Sequence, residues 1–147
     1  MIAVQFPPPQ FRIKKKGEER YIFDAIRKRW LVLTDEEWVR QNMVAHFLTK
    51  LSYPKEAIAV EKGFLVNGLK KRFDILVYDR QQQPYLMVEC KAPDVRLNED
   101  VLQQALRYHI TLPVQWIVLT NGLSTLAWRK EGSQLRLANE LPAWQQV

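Results

Sequence analysis

The sequence predicts an α/β chain with a central mixed sheet flanked by helices, and three observations carry that expectation. Thr34-Asp35-Glu36-Glu37 is a capping box that opens a helical stretch. Asn67-Gly68 stands between two apolar-rich runs, the strongest short-range signal of a β-hairpin. A second helical stretch after Asn98-Glu99-Asp100 leads into residues 114–120, a short, nearly continuous apolar run of the kind expected of a buried strand.

Composition bounds the rest. At 147 residues and 17.4 kDa a single globular domain is expected, long enough to bury a proper core. Its organisation reads as a basic arm or hairpin over residues 1–33 and a main body over residues 34–147. Hydrophobic content of 47% with 26% charged residues is ordinary for a soluble protein. The net charge is +6 with a pI ≈ 9.5. The first thirty residues hold eight Lys/Arg against three acids, so nearly all the excess lies there. That balance is compatible with a polyanionic partner, and equally with a solvated basic face. Cys90 is the only cysteine, which excludes an internal disulfide and fits a reducing compartment. With no run approaching a membrane span and no signal-peptide pattern, a cytoplasmic protein without membrane contact is expected.

In chain order, Pro7-Pro8-Pro9 rules out helix over residues 1–11 and suggests an extended arm. Residues 12–16 and 20–23 flank Gly17-Glu18-Glu19 as a short hairpin, and residues 26–33 suggest a further strand. The helix opened by Thr34 runs to about Leu51, with Trp38, Met43, Ala45, Phe47, Leu48 and Leu51 on a broad apolar stripe. A three-strand meander occupies residues 58–91. Ala92-Pro93-Asp94 then breaks the chain, and the second helix ends before Pro113. Gln104 and Tyr108, four apart, share a face of it. Asn121-Gly122 turns the run at 114–120 into a strand over residues 123–129, and the tail supplies a strand or short helix at an edge.

The meander concentrates the chemistry. A two-residue loop at Asn67-Gly68 pairs Val66 with Leu69 and sets Glu61 opposite Asp74. If Asp79 pairs with Pro84 across the second turn, Asp74 falls opposite Glu89. Alternation then places Val60, Phe64, Val66, Phe73, Ile75, Val77, Leu86, Val88 and Cys90 on one side. Glu61, Asp74, Glu89 and Lys91 fall on the other, with Leu65, Leu76 and Met87 further along. Carboxylates opposed at about 5 Å repel by ~3 kcal/mol at an effective dielectric near 20. A divalent cation between them reverses that sign, and hard cations such as Mg²⁺ take one or two carboxylates plus water and phosphate oxygens. Lys91 points the same way, able to orient a water or neutralise developing charge. The same alternation is also what any half-exposed strand looks like, and Glu37 already has a sufficient role in the cap.

Residues 34–129, about two-thirds of the chain, resemble the N-terminal nuclease domain of type I restriction enzyme R subunits, within the PD-(D/E)xK superfamily. The likeness is carried by Arg72-Phe73-Asp74, Val88-Glu89-Cys90-Lys91-Ala92-Pro93, Gln104-Ala105-Leu106-Arg107-Tyr108 and Leu119-Thr120-Asn121-Gly122. E-x-K alone says little. An Asp fifteen residues before it, followed by the Q-x-x-x-Y of the RecB-like branch, makes the combination fairly specific. The resemblance implies a restriction-endonuclease-like core and a Mg²⁺- or Mn²⁺-dependent DNA endonuclease active in restriction-modification. It implies Asp74, Glu89 and the Cys90 carbonyl as metal ligands, with Lys91 positioning the attacking water. Gln104 and Tyr108 would shape the site and touch the DNA backbone. Either Glu37 or Glu61 would complete it. Partners implied are DNA and, beyond it, a second copy or a larger restriction or repair complex. The family's R subunits carry a helicase motor after this domain, for which the sequence gives no counterpart.

Other chemistry finds little support. His46 and His109 stand isolated and read as structural, so neither a zinc site nor a Ser-His or Cys-His pair is indicated. No glycine-rich phosphate loop is present, and the five tryptophans read as packing. The alternative to the nuclease is a nucleic-acid-binding or assembly module that keeps the fold without useful turnover.

Overall fold

The computed structural model describes residues 2, 10–109 and 112–147, apart from the side chains of residues 64, 66 and 108. The expected extended arm with Pro7-Pro8-Pro9 lies mostly outside the described residues. The architecture is mixed α/β: a six-stranded mixed sheet, a three-stranded antiparallel sheet and two helices. No helix among the described residues is long and apolar enough to cross a membrane.

The small sheet comes first. Strands β1 (Ile13–Lys16) and β2 (Glu19–Asp24) form the expected hairpin around Gly17, whose φ of 64° suits glycine. β3 (Arg29–Val32) makes it a three-stranded antiparallel sheet. Ile22 is fully buried beneath it, while Lys14, Lys15, Lys16 and Arg20 face water.

Helix α1 (Asp35–Thr49) begins where the sequence places it, with the Glu37 N–H donating to Thr34 Oγ1 at 3.0 Å. Only that half of the capping box forms, because the Glu37 carboxylate bonds Arg27 and Arg40. The helix ends two residues before Leu51, and the expected apolar stripe is realised in part, with Leu48 and Leu51 packed against the core. Val39, Met43, Val44 and Phe47 enter the core, whereas Trp38, Ala45 and Leu48 are half-buried. Arg40, Gln41, Asn42 and His46 are buried too, so α1 is covered on more than its apolar side.

The large sheet runs β4 (Ile58–Val66), β5 (Leu69–Tyr78), β6 (Pro84–Cys90), β7 (Trp116–Thr120), β8 (Thr125–Glu131) and β9 (Gln134–Leu137), with neighbours in that same order. Only β6 and β7 are parallel. The crossover that a parallel pair requires is made through α2 (Glu99–His109). Asn98 caps this helix by accepting from the Val101 N–H at 3.0 Å. Central strands alternate their side chains between two cores. Ile75, Val77, Leu86, Val88 and Val118 pack with Val39, Met43 and Phe47 of α1. Leu76, Met87, Ile117 and Leu119 pack with Ala105 of α2. Each such buried side chain stabilises the fold by about 1.5–3 kcal/mol, and burial on both faces explains why β7 reads as one apolar run.

The hairpin register is the one Asn67-Gly68 specifies: Val66 pairs with Leu69, and the ladder continues to Ile58 opposite Val77. Both turn residues have positive φ, 51° and 78°, as a type I′ turn demands. The second turn differs. Tyr78, not Asp79, pairs with Pro84, and a bulge between Val77 and Tyr78 restores the expected register from Val77–Leu86 to Ile75–Val88. Facial assignments also change here. Glu61 and Asp74, expected on the side of Leu76 and Met87, both bond Arg40 of α1. Phe73, expected beside Val60 and Ile75, packs in the opposite core and lies 6.1 Å from the His109 ring. The ladder skips here from Val60–Ile75 to Lys62–Phe73, and Glu61, the β4 residue passed over, has a φ of 56°. Phe64 and Val66, assigned to the same side, have side chains outside the described residues.

Candidate active site

Where the β5–β6 ladder stops, the two strands part and open a cleft of about 380 Å³. Asp74, Glu89, Lys91, Gln104 and His109 all line it. It sits at the C-terminal end of β6, beside the parallel strand β7 and under α2. The crevice beyond the carboxyl ends of parallel strands is where open α/β sheets bind ligands. β6 stays joined to β7, since the Lys91 N–H donates to Thr120 O at 2.8 Å. β5 leaves, and the Asp74 side chain takes the place of the missing ladder bond. Its Oδ2 accepts from the Cys90 N–H at 2.7 Å.

Asp74 Oδ1 accepts from Arg40 Nη2 at 2.9 Å. The same nitrogen lies 2.9 Å from Glu61 Oε1 and 3.0 Å from Glu36 Oε1, while Arg40 Nη1 bonds Glu37. One guanidinium therefore serves four carboxylates. Arg40 Nε is buried with no hydrogen-bond partner, and all the guanidinium's bonds come from its two terminal nitrogens. Burial works against the Arg40 charge, but Asp74 and Glu37 outweigh it and hold the group more firmly protonated than a free arginine. The chain of charge continues outward. Arg27, in the turn between β2 and β3, bonds both Glu37 and the buried Asp24, and Arg72 bonds Glu61.

The other side of the cleft is simpler. Glu89 Oε1 lies 3.1 Å from Lys91 Nζ, and its Oε2 lies 2.8 Å from His109 Nε2. These contacts hold the Glu89 carboxyl below the usual glutamate range, the His109 hydrogen bond being the largest cause and Lys91 adding to it against desolvation. Lys91 is partly exposed, and its Nζ reaches back to its own strand's acid. Cys90 is buried in the α1-side core, and desolvation pushes its thiol well up, so the thiol has no reactive character here.

The sequence-derived residues therefore divide. Asp74, Glu89, Lys91 and Gln104 meet in one cleft. Tyr108 belongs to α2, but its side chain lies outside the described residues. Glu37 is buried and turned to Arg27 and Arg40, and Glu61 is held by Arg40 and Arg72. The cation beside Glu61 and Asp74 is thus an arginine of the chain itself. Two residues were missed. His109, read as isolated, is the principal partner of Glu89. Glu36, one position before the expected acid, is the α1 carboxylate that stays half exposed, and its pKa is raised by burial and by the Asp74 charge. Its spacing of four from Arg40 was the available signal.

Among the described residues no group of three or more His, Cys, Asp or Glu converges to hold a metal ion. The donor set of the cleft is nevertheless of the hard, oxygen type. Asp74 and Glu89 border a space wide enough for waters, and Mg²⁺ needs only one or two carboxylates when water fills its remaining positions.

Residues 35–142 match the family model described as type I restriction enzyme R protein N terminus. No curated protein matches the chain. A cryoEM structure of a DrdV–DNA complex is similar at a TM-score of 0.47 and 20% identity, over 71% of this chain and 10% of that one. The chain thus spans about a tenth of the length of that protein.

Proposed function

The chain belongs to the family of type I restriction enzyme R protein N-termini, and on that premise we propose that it is a divalent-metal-dependent DNA endonuclease unit. In this reading α1, β4 to β6, α2 and β7 form a restriction-endonuclease-like core, which residues 34–147 contain, and residues 1–33 are an appended basic arm. The observation that carries it is the meeting of Asp74, Glu89 and Lys91 in one cleft at the fork of β5 and β6.

Asp74, Glu89 and the Cys90 carbonyl would hold Mg²⁺ or Mn²⁺, with Glu36 or Glu61, which share Arg40 with Asp74, available to complete the set. Such an ion supplies Lewis-acid polarisation of the phosphoryl oxygen and a more acidic bound water. The residues do the rest. Cys90, through its N–H, fixes the rotamer of Asp74. His109 and Lys91 keep Glu89 ionised at neutral pH. Lys91, as an ammonium, donates to the attacking water and to the oxygens on which charge grows as water adds to phosphorus and the alkoxide departs. Gln104, which lines the cleft, and Tyr108 on the same helix would contact the DNA backbone in this reading.

Incubation of supercoiled plasmid with the protein and Mg²⁺ or Mn²⁺ tests the proposal, with Lys91→Ala alongside. Nicking by the wild type and none by the variant is expected. Equal DNA binding with no nicking by either would instead favour a binding module without turnover. A specific observation favours that second reading: both Asp74 oxygens already have donors, Arg40 and the Cys90 N–H. A thermal scan separates the two, since a bound cation stabilises the folded state. The nuclease reading requires that metal raise Tm in the wild type and not in Asp74→Asn.

A further inference from the structure

The β4–β5 hairpin has two unlike halves. From Ile58 to Val60 and from Phe73 to Val77 it is part of the core. Beyond Glu61 it projects as a two-stranded ribbon, with Lys62, Gly63, Lys70 and Arg72 exposed and Leu65 and Leu69 bare at its tip, 71% and 63% accessible. Residues 62–73 contain four cations, Lys62, Lys70, Lys71 and Arg72, and no acid. The ribbon rises from the cleft itself, because Arg72 and Phe73 line it.

We propose that this ribbon is the element that docks the chain on DNA, lying in the major groove beside the cleft. The inference rests on the preceding reading for the identity of the polymer and goes beyond it in naming the docking element. Three physical points support it. The cleft is lined by Asp74 and Glu89, which repel a polyanion, and the ribbon places compensating positive charge at its rim. Two paired strands lie about 4.8 Å apart, and the B-DNA major groove, roughly 12 Å wide, admits such a ribbon. The four pairs from Gly63–Arg72 to Val66–Leu69 span ~13 Å at the usual strand rise, more than the groove's depth of about 8.5 Å. The exposed tip carries leucines, which suit thymine methyl groups on the groove floor.

The competing surface is the small sheet, whose Arg12 and Lys14 lie over the Phe23 and Trp30 rings, within 4.6 Å and 4.3 Å of a centroid. Those cations are braced by the protein's own aromatics and stand apart from the cleft-lining residues.

Binding of the full chain to a labelled duplex of about 20 base pairs, in EDTA so that no cleavage intrudes, decides the matter. Lys62→Glu with Lys70→Glu is expected to weaken binding by about tenfold or more and to make the salt dependence of log K shallower by about two. Lys62→Gln with Lys70→Gln repeats the test without introduced acids, and an unchanged Tm shows that the fold is intact. Methyl green, a major-groove ligand, is expected to compete, and the minor-groove ligand distamycin is not. The proposal is overturned if the ribbon variants bind as the wild type does, or if Lys14→Glu with Lys15→Glu carries the loss instead. Equal affinity for a single strand, or competition by distamycin alone, overturns it too. Ribbon-dependent duplex binding without plasmid nicking would remove the hydrolase reading and leave the ribbon. Nicking with an idle ribbon would do the reverse.

Discussion

On the α1 side of the cleft, Asp74 shares one buried guanidinium with three other acids, and the network runs on through Glu37 and Arg27 to Asp24 in the small sheet. On the α2 side, Glu89 has a lysine at the surface and a single histidine behind it. The first arrangement is built around a buried cation, and removing that cation leaves buried acids without compensation. The second keeps an ammonium where solvent or substrate can meet it. Two acids of one cleft are thus divided between a brace and a reactive edge.

Breaking the brace gives the largest expected effect. Arg40→Ala leaves Glu36, Glu37, Glu61 and Asp74 without their common cation, and chemical denaturation should show a loss of about 3–5 kcal/mol. Arg40→Lys should recover little of it, since one ammonium cannot replace the two-pronged contact to Asp74 and Glu37. A loss below about 1 kcal/mol would show that the network is no brace. Next comes the reactive edge: Lys91→Ala should lower the nicking rate by about 10²–10³ while leaving the unfolding midpoint nearly unchanged. A variant that unfolds early would erase the distinction between the two sides.

Acid titration sharpens the contrast with smaller effects. The folded-state pKa of Glu89 lies below its ordinary value of 4.5, so its contribution to stability is present above that value and lost as pH falls through the folded one. Wild type should therefore lose its advantage over Glu89→Gln on acidification below the ordinary glutamate range, as read by urea unfolding at several pH values. Glu36 has the opposite sign. Its pKa is raised by burial and Asp74, so its ionised form subtracts from stability above the ordinary range. Glu36→Gln should stabilise slightly at neutral pH, within about 0.5 kcal/mol, and the gain should vanish in acid. Identical pH profiles for the two variants would show that the cleft does not divide as described.

The sequence made the register of the meander legible because Asn67-Gly68 admits almost one turn geometry, and that turn fixes the register as far as Ile58–Val77, with the expected Glu61–Asp74 pair skipped. The second register came out right over residues 75–77 although its assumed pair was wrong, because the bulge at Tyr78 absorbed the difference. The face of Phe73 was not legible. Nothing in the composition of β4 or β5 announces the skipped pair between Val60–Ile75 and Lys62–Phe73, or the positive φ at Glu61 within it. The Arg40 network was hidden for another reason: its acids come from α1, β4 and β5, and only their tertiary packing brings them to one guanidinium. His109 looked idle because its partner lies twenty residues away on β6. Glu37 drew attention through its place in the cap, which spoke for the helix start and not for the direction of its carboxylate.

The strands of the large sheet follow one another in space as they do along the chain. During synthesis each new strand therefore meets a partner that has already left the ribosome, and loop-closure entropy stays small at every addition save one. That exception is the crossover carrying α2, which must fold back before β7 can dock. Until it does, β6 presents an open edge, the form in which a half-made sheet is most prone to pair with a neighbouring chain.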